Sequence, residues 1–368
     1  MTETPLKVRI REQIETTGPI TVADYMSMCL SDPDHGYYMT RTPFGSEGDF
    51  TTAPEVSQMF GELIGAWCLE AWADLGKPET VHLVELGPGR GTLMADMLRL
   101  ARLEPAFAKA VRVHMVETSP HLRDLQQQTL HAAPVACAWH ETLADVPEGP
   151  TLLVANEFFD ALPIHQYVLT REGWRERMVG LNPEDGSFIF AAGPGRLDTD
   201  ELPADIANPA SRNIGPGAIL ETQPLSNAIM SEIATRLKAH DGAALAIDYG
   251  YERTAVGDTL QALEKHAFAD PLANPGAADL TAHVNFEALA RAAATGGATA
   301  HGPMTQGNFL VAMGLLERAG RLGSGKEHAV QERLRDDVER LAAPDQMGTL
   351  FKVLAVTGHT SPPRPFKT

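Results

Sequence analysis

The 368-residue chain carries 48 acidic and 30 basic side chains, a formal net charge of −18 at pH 7, and 43% hydrophobic residues. That composition excludes a disordered chain and suits two domains or one elaborated domain. The acidic excess argues against nucleic acid or anionic membrane as general partners, because both repel it, and a cationic partner fits better. Cys29, Cys68 and Cys137 are widely spaced and form neither a disulfide framework nor a zinc pattern, so they read as buried thiols. The start MTETPLKVRIREQIE is charged throughout, and no apolar run reaches the ~20 residues of a membrane span. The expectation is a cytoplasmic protein without membrane insertion.

In chain order, residues 4 to about 80 read as mostly helical: LKVRIREQIE, ITVADYMSMCLSD and the amphipathic PEVSQMFGELIGAWCLEAWADLG. Between the last two lies DPDHGYYMTRTPFGSEGDFTTAPE, a loop too long for a simple connection and therefore expected to carry function. From 81 onward, short apolar runs alternate with helical patterns: VHLVEL, TLMADMLRLARL, VRVHMVE, HLRDLQQQTL, VACAWH and TLLVANEFFD. That alternation predicts parallel strands with helical crossovers. IHQYVLTREGWRERMVGL and GSFIFAA predict an antiparallel insertion. The βα pattern resumes with SNAIMSEIATRLKAH and GAALAIDYG, continues through FEALARAAATGG and two more helices to about 343, and closes on the strand FKVLAVTG. The expected fold class is α/β, a doubly wound, Rossmann-like sheet with an N-terminal helical extension and inserted strands and helices.

One glycine motif stands between a strand and a helix. Glu85-Leu86-Gly87-Pro88-Gly89-Arg90-Gly91-Thr92 follows VHLVEL and opens TLMADMLRLARL. Alternate glycines let the backbone turn sharply beside a ligand, and the helix start offers free N–H groups. GPG recurs at Gly193-Pro194-Gly195 and Gly215-Pro216-Gly217 without a following amphipathic helix, so both read as ordinary loop turns. A dinucleotide site of the form GxGxxG needs glycine where Thr92 stands. The form ExGxGxG, with Glu85 placed to meet an ammonium group, favours S-adenosylmethionine (SAM) over NAD. Glu117, ending the next strand, would hold ribose hydroxyls in either case. Candidate cofactor-binding residues are Glu85, Gly87, Gly89, Gly91, Thr92 and Glu117, joined by Asp49 from the long loop.

TLLVANEFFDALP sets Asn156, Glu157 and Asp160 at the carboxyl end of a buried strand, where doubly wound folds bind ligands. Methyl transfer from a sulfonium is an in-line displacement, so a protein catalyses it mainly by alignment and local electrostatics. A guanidinium acceptor is cationic, and paired carboxylates fork to its N–H groups and aim the remaining nitrogen. These three are the candidate catalytic residues. Thr52 and Glu55 have capping-box spacing, which makes Glu55 read as a cap. Asp279, Thr281 and His283 precede a helix as candidates for the substrate cleft or for local turn and cap groups. The thirteen histidines show no compact ligand spacing, and no metal is expected.

ELGPGRGTLMADML, VETSPHLR, ANEFFDALP, HGYY and GDFTTAPEVSQMFGE, with DYGYE, DPLANPGAADLTAHVNFEAL, QGNFL and MGTLFKVL, together resemble the MidA-like family of SAM-dependent methyltransferases. The resemblance runs nearly end to end. It implies a class I methyltransferase fold, SAM as cofactor and a protein arginine acceptor, because mitochondrial relatives act as protein arginine methyltransferases in the assembly of respiratory complex I. The partner implied is a complex I subunit. Residues 1–80 then read as a helical extension with a cofactor-covering loop, and 81–368 as the methyltransferase domain with insertions at about 163–217 and 305–345. A non-catalytic assembly chaperone and a small-molecule methyltransferase are the alternatives. The amphipathic helices at 54–75 and 326–343 pack either within the chain or in a homodimer.

Overall fold

The computed structural model describes residues 3–40, 52–101, 103–199, 202–208, 214–264 and 267–367. Among them the largest sheet has eight strands. Seven are β1 (Val81–Leu86), β2 (Val111–Val116), β3 (Cys137–His140), β4 (Thr151–Asn156), β5 (Gly242–Tyr251), β6 (Thr299–Thr305) and β7 (Phe351–Thr357). Their order is β3-β2-β1-β4-β5-β7-β6, and Val284–Asn285 extends the far end of β5. β1 to β5 run parallel, whereas β7 is antiparallel to both neighbours. Chain direction across the sheet reverses between β1 and β4, which opens a crevice at their carboxyl ends.

β1, β4 and β7 are buried at every residue, as strands covered on both faces must be. One face packs on α3 (Gln58–Asp74) and α4 (Thr92–Ala101): Leu83, Val113, Leu152, Leu245 and Val353 meet Phe60, Ile64, Trp67, Met94 and Met97 there. The other face packs on α6 (Pro224–His240) and α7 (Phe286–Thr295), and α5 (Pro120–Leu130) links β2 to β3. α1 (Pro5–Thr17) and α2 (Val22–Ser31) bury Leu6, Ile10, Tyr25 and Met26 with Ile164, Val179 and Phe188 of an inserted antiparallel sheet.

Four expectations change in detail. The helix pattern at 54–75 splits into Ala53–Val56 and α3, because Ser57 is extended and its hydroxyl caps α3. Gly193-Pro194-Gly195 is no loop turn: it lies within the strand Phe188–Arg196, where bare glycines let Met178 and Glu176 of the neighbouring strand approach. β6 went unread because TAHGPMT carries a Gly-Pro pair, tolerated where the register slips between His301 and Met304 on an edge strand. Three helices rather than two fill the stretch from β6 to residue 343, namely Gln306–Ala312, α8 (Leu315–Gly323) and α9 (His328–Ala342), and a short fourth, Met347–Leu350, leads into β7. Of the three thiols expected to be buried, Cys29 and Cys68 are buried and Cys137 is only half-buried.

The seating of α4 matters for function, since the glycine motif leads directly into it. Gly61 and Gly65, one turn apart on α3, face α4 closely. A Cβ at Gly61 would lie 2.5 Å from Asp96 Cβ, and one at Gly65 would lie 2.8 Å from the Met97 carbonyl oxygen. Arg318 of α8 braces α3 with a two-pronged ion pair to buried Glu62, at 2.7 and 2.9 Å. Gly65→Ala is expected to lower stability by about 1–3 kcal/mol by overpacking this contact. Gly320→Ala, in α8 with nothing within 4 Å of the added carbon, is expected to raise stability by about 0.5–1 kcal/mol. Urea unfolding of the two variants checks both signs.

Candidate active site

The glycine motif forms the turn from β1 into α4. Gly87, Gly89 and Gly91 have φ of +59°, +53° and +80°, left-handed values that side chains resist. A Cβ at Gly87 would also press to 2.8 Å from the Phe158 ring. The turn is held by Gly87 N–H donating to the Val116 carbonyl at 3.1 Å and Gly91 N–H donating to that of Pro88 at 2.8 Å. From α5, the Gln126 amide donates to the Gly89 carbonyl at 2.8 Å and to Glu117 Oε2 at 3.1 Å. Ser119 N–H donates to Glu117 Oε1 at 2.8 Å. Glu117 is thus fixed at the end of β2, tied to the glycine turn through one glutamine. Burial raises its pKa, while the donors from Ser119 and Gln126 oppose the rise.

Glu85 lies inside β1 and is 3% exposed. Burial pushes its pKa well above the usual carboxylate range. Its Oε2 has no hydrogen-bond partner, and the residue lines the cleft beside the glycine turn. An unfilled buried acceptor of this kind fits an ammonium group. The left-handed turn, the oriented Glu117 and the unfilled Glu85 suit the ribose and amino-acid ends of SAM.

On the same edge, β4 ends at Asn156 and turns through Glu157, whose φ of +49° is a strained value for a residue other than glycine. The Glu157 carboxylate accepts from the Ala53 N–H at 3.0 Å and from the Asn156 amide at 3.2 Å. Burial and the neighbouring Asp160 lift its pKa to about 8. Asp160 is 5% exposed, its Oδ1 lacks a partner, and burial lifts its pKa to about 6 against the opposing Tyr249 hydroxyl. From β5, fully buried Asp248 accepts the backbone N–H groups of Phe159 at 3.0 Å and Asp160 at 3.1 Å. Its pKa is raised by burial and by the two neighbouring carboxylates.

Residues 52–57 strap across this edge. Ala53 reaches Glu157, and the Thr92 hydroxyl at the start of α4 donates to Glu55 Oε1 at 2.7 Å. Glu55 is therefore not the expected cap: Thr52 makes no side-chain cap hydrogen bond, and the Glu55 carboxylate spans the gap to α4 and, at 3.8 Å, to Arg90. The cleft is lined by Thr52, Glu55, Glu85, the glycine turn, Asn156 and Glu157.

Glu85, Gly87, Gly89, Thr92, Asn156 and Glu157 thus share one cleft, Gly91 completes the turn, Glu117 flanks it and Asp160 lies behind Glu157. Asp49 lies outside the described residues. Asp279, left open between cleft and cap, accepts from the Tyr38 hydroxyl at 2.9 and 3.0 Å. Asp248 and Tyr249 were missed, although an acid ending the apolar run GAALAI is the signal that also marks Asn156 and Glu157.

Comparison with known proteins points to the same cofactor. The sequence profile of the family described as S-adenosyl-L-methionine-dependent methyltransferase matches residues 63–304. The chain is 38% identical to Protein arginine methyltransferase NDUFAF7, mitochondrial, of Xenopus tropicalis, covering 94% of this chain and 84% of that protein. It is 36% identical to the human protein of the same name, covering 97% and 84%. Among solved structures, a Burkholderia thailandensis protein bound to S-adenosyl-homocysteine superposes with a TM-score of 0.83 and 27% identity, covering 98% of this chain and 96% of that one. The cytoplasmic expectation is corrected by these findings, since the curated relatives are named mitochondrial. A profile match over most of the chain and end-to-end relatives exclude the NAD alternative, and the chain belongs to the MidA-like family of SAM-dependent methyltransferases.

Proposed function

We propose that this methyltransferase acts on a protein arginine, in a subunit of respiratory complex I. Support for the arginine comes from the relatives, which are named protein arginine methyltransferases, and the complex I subunit rests on the family resemblance. The observation that carries the reading is the pair of neighbouring carboxylates at the end of β4, half-buried Glu157 in the cleft of the glycine turn and buried Asp160 next to it. Their desolvated setting makes negative charge costly, and a guanidinium, cationic at all working pH values and rich in donors, relieves that cost.

In this reading Gly87, Gly89, Gly91 and Thr92 present backbone and hydroxyl groups to the cofactor, Glu117 holds its ribose and Glu85 meets its ammonium group. When bound, SAM supplies an electrophilic methyl on a sulfonium. Glu157 and Asp160 accept N–H groups of the acceptor, balance its charge and leave one nitrogen facing the methyl, while Asn156 orients Glu157. Residues 52–57 exclude water from the cleft and tie the cofactor side to the acceptor side, which gives the N-terminal extension a covering role.

Five outcomes follow from the roles assigned. Mass spectrometry of complex I subunits from cells lacking this protein, incubated with SAM and the purified chain, should show new methylarginine, and Glu157→Gln should cut it at least a hundredfold. Subunits left unmodified by the wild type would favour the chaperone reading. Calorimetry should show SAM binding lost in Gly87→Val and weakened about ten- to a hundredfold in Glu117→Ala. The raised carboxylate pKa values set the sign of the pH response: below about 6 both acids are protonated and cannot hold a cation, and charge develops as pH rises through about 6 to 8. The kcat/KM for the acceptor should rise across that interval.

A further inference from the structure

We propose that Tyr249 and Asp160 read the acceptor's guanidinium, and that Asp248 is the residue that positions them. The inference rests on the arginine reading above and adds the groups that would distinguish arginine from other cations.

Asp248 has no exposed surface. Its Oδ2 accepts the Phe159 and Asp160 N–H groups, and its Oδ1 accepts the N–H of Tyr249 at 3.0 Å. With both oxygens committed to backbone, this carboxylate is spent on holding the turn after β4 against the end of β5. Those two segments carry Asp160 and Tyr249. The Tyr249 ring is fixed between His283 and Phe351, edge-on to each with centroids 5.4 Å away.

What this clamp presents is unfilled. Asp160 Oδ1 and the Tyr249 hydroxyl make no hydrogen bond of normal geometry, although the hydroxyl lies close to Asp160 and to Thr281. Asp160 and Tyr249 are 5% and 6% exposed, so water does not readily make up the deficit. Tyr38, donating to Asp279, brings a further carboxylate to the same group of side chains. A carboxylate oxygen short of donors, beside a hydroxyl that still has lone pairs to offer and among other carboxylates, suits a ligand that is cationic and donates. A guanidinium meets both conditions, and its planar fork serves two adjacent acceptors at once, whereas an ammonium points its donors tetrahedrally.

The test uses the full chain saturated with S-adenosyl-homocysteine and titrated with a blocked arginine peptide or its lysine twin in a calorimeter. The wild type should prefer the arginine peptide at least tenfold. Tyr249→Phe should weaken arginine binding about ten- to a hundredfold with little change for lysine. Asp160→Asn should weaken both peptides, arginine the more. Asp248→Asn should erase the preference while S-adenosyl-homocysteine affinity stays unchanged, a result that loss of folding alone does not give. A wild type without preference, or binding neither peptide, would overturn the arginine reading and this inference with it. A preference that survives intact in Tyr249→Phe and Asp248→Asn would overturn the assignment of these residues alone.

Discussion

Burying a carboxylate without a cation is among the costliest things a domain can do, and this fold gathers Glu157, Asp160 and Asp248 where β4 and β5 end side by side. Parallel strands make that gathering inevitable once each ends in an acid, because their carboxyl ends lie on one edge. The core cannot use the arrangement, since apolar side chains fill both faces of the sheet below it. The strain at Glu157 and the unfilled oxygen of Asp160 are the features on which the proposed acceptor site rests.

The glycine turn and the acidic turn on that edge are joined mechanically. Through Glu55 the strap reaches the first residue of α4, and through Ala53 it reaches Glu157. α4 is seated by the glycine contacts of α3, so the position of the glycine turn follows from packing in the core as well as from its own backbone freedom. The inserted sheet and the N-terminal helices share a separate cluster, which leaves the central sheet free of the additions built on it.

Much of this was legible in the residues. Continuous apolar runs announced β1, β2, β4, β5 and β7, and the glycine motif between strand and helix announced the cleft, because both depend on local chemistry. The failures share another origin. β6 hides behind a Gly-Pro pair that only an edge position tolerates, and Gly193-Pro194-Gly195 reads as a turn until the neighbouring strand is seen to need the room. Glu55 looked like a cap because spacing cannot show that a helix of another segment stands nearer. Asp248 went unseen because its partners, the N–H groups of Phe159 and Asp160, are 89 and 88 residues away in the chain.

The central claim is spatial: the glycine turn and the acidic turn face a single transfer line. A crystal structure with S-adenosyl-homocysteine and an arginine peptide bound together tests it most directly. The account predicts the sulfur beside the glycine turn, with one guanidinium nitrogen directed at it and the others within hydrogen-bond distance of Glu157 and Asp160. A guanidinium seated elsewhere, or carboxylates turned from it with the sulfur in place, would contradict the account.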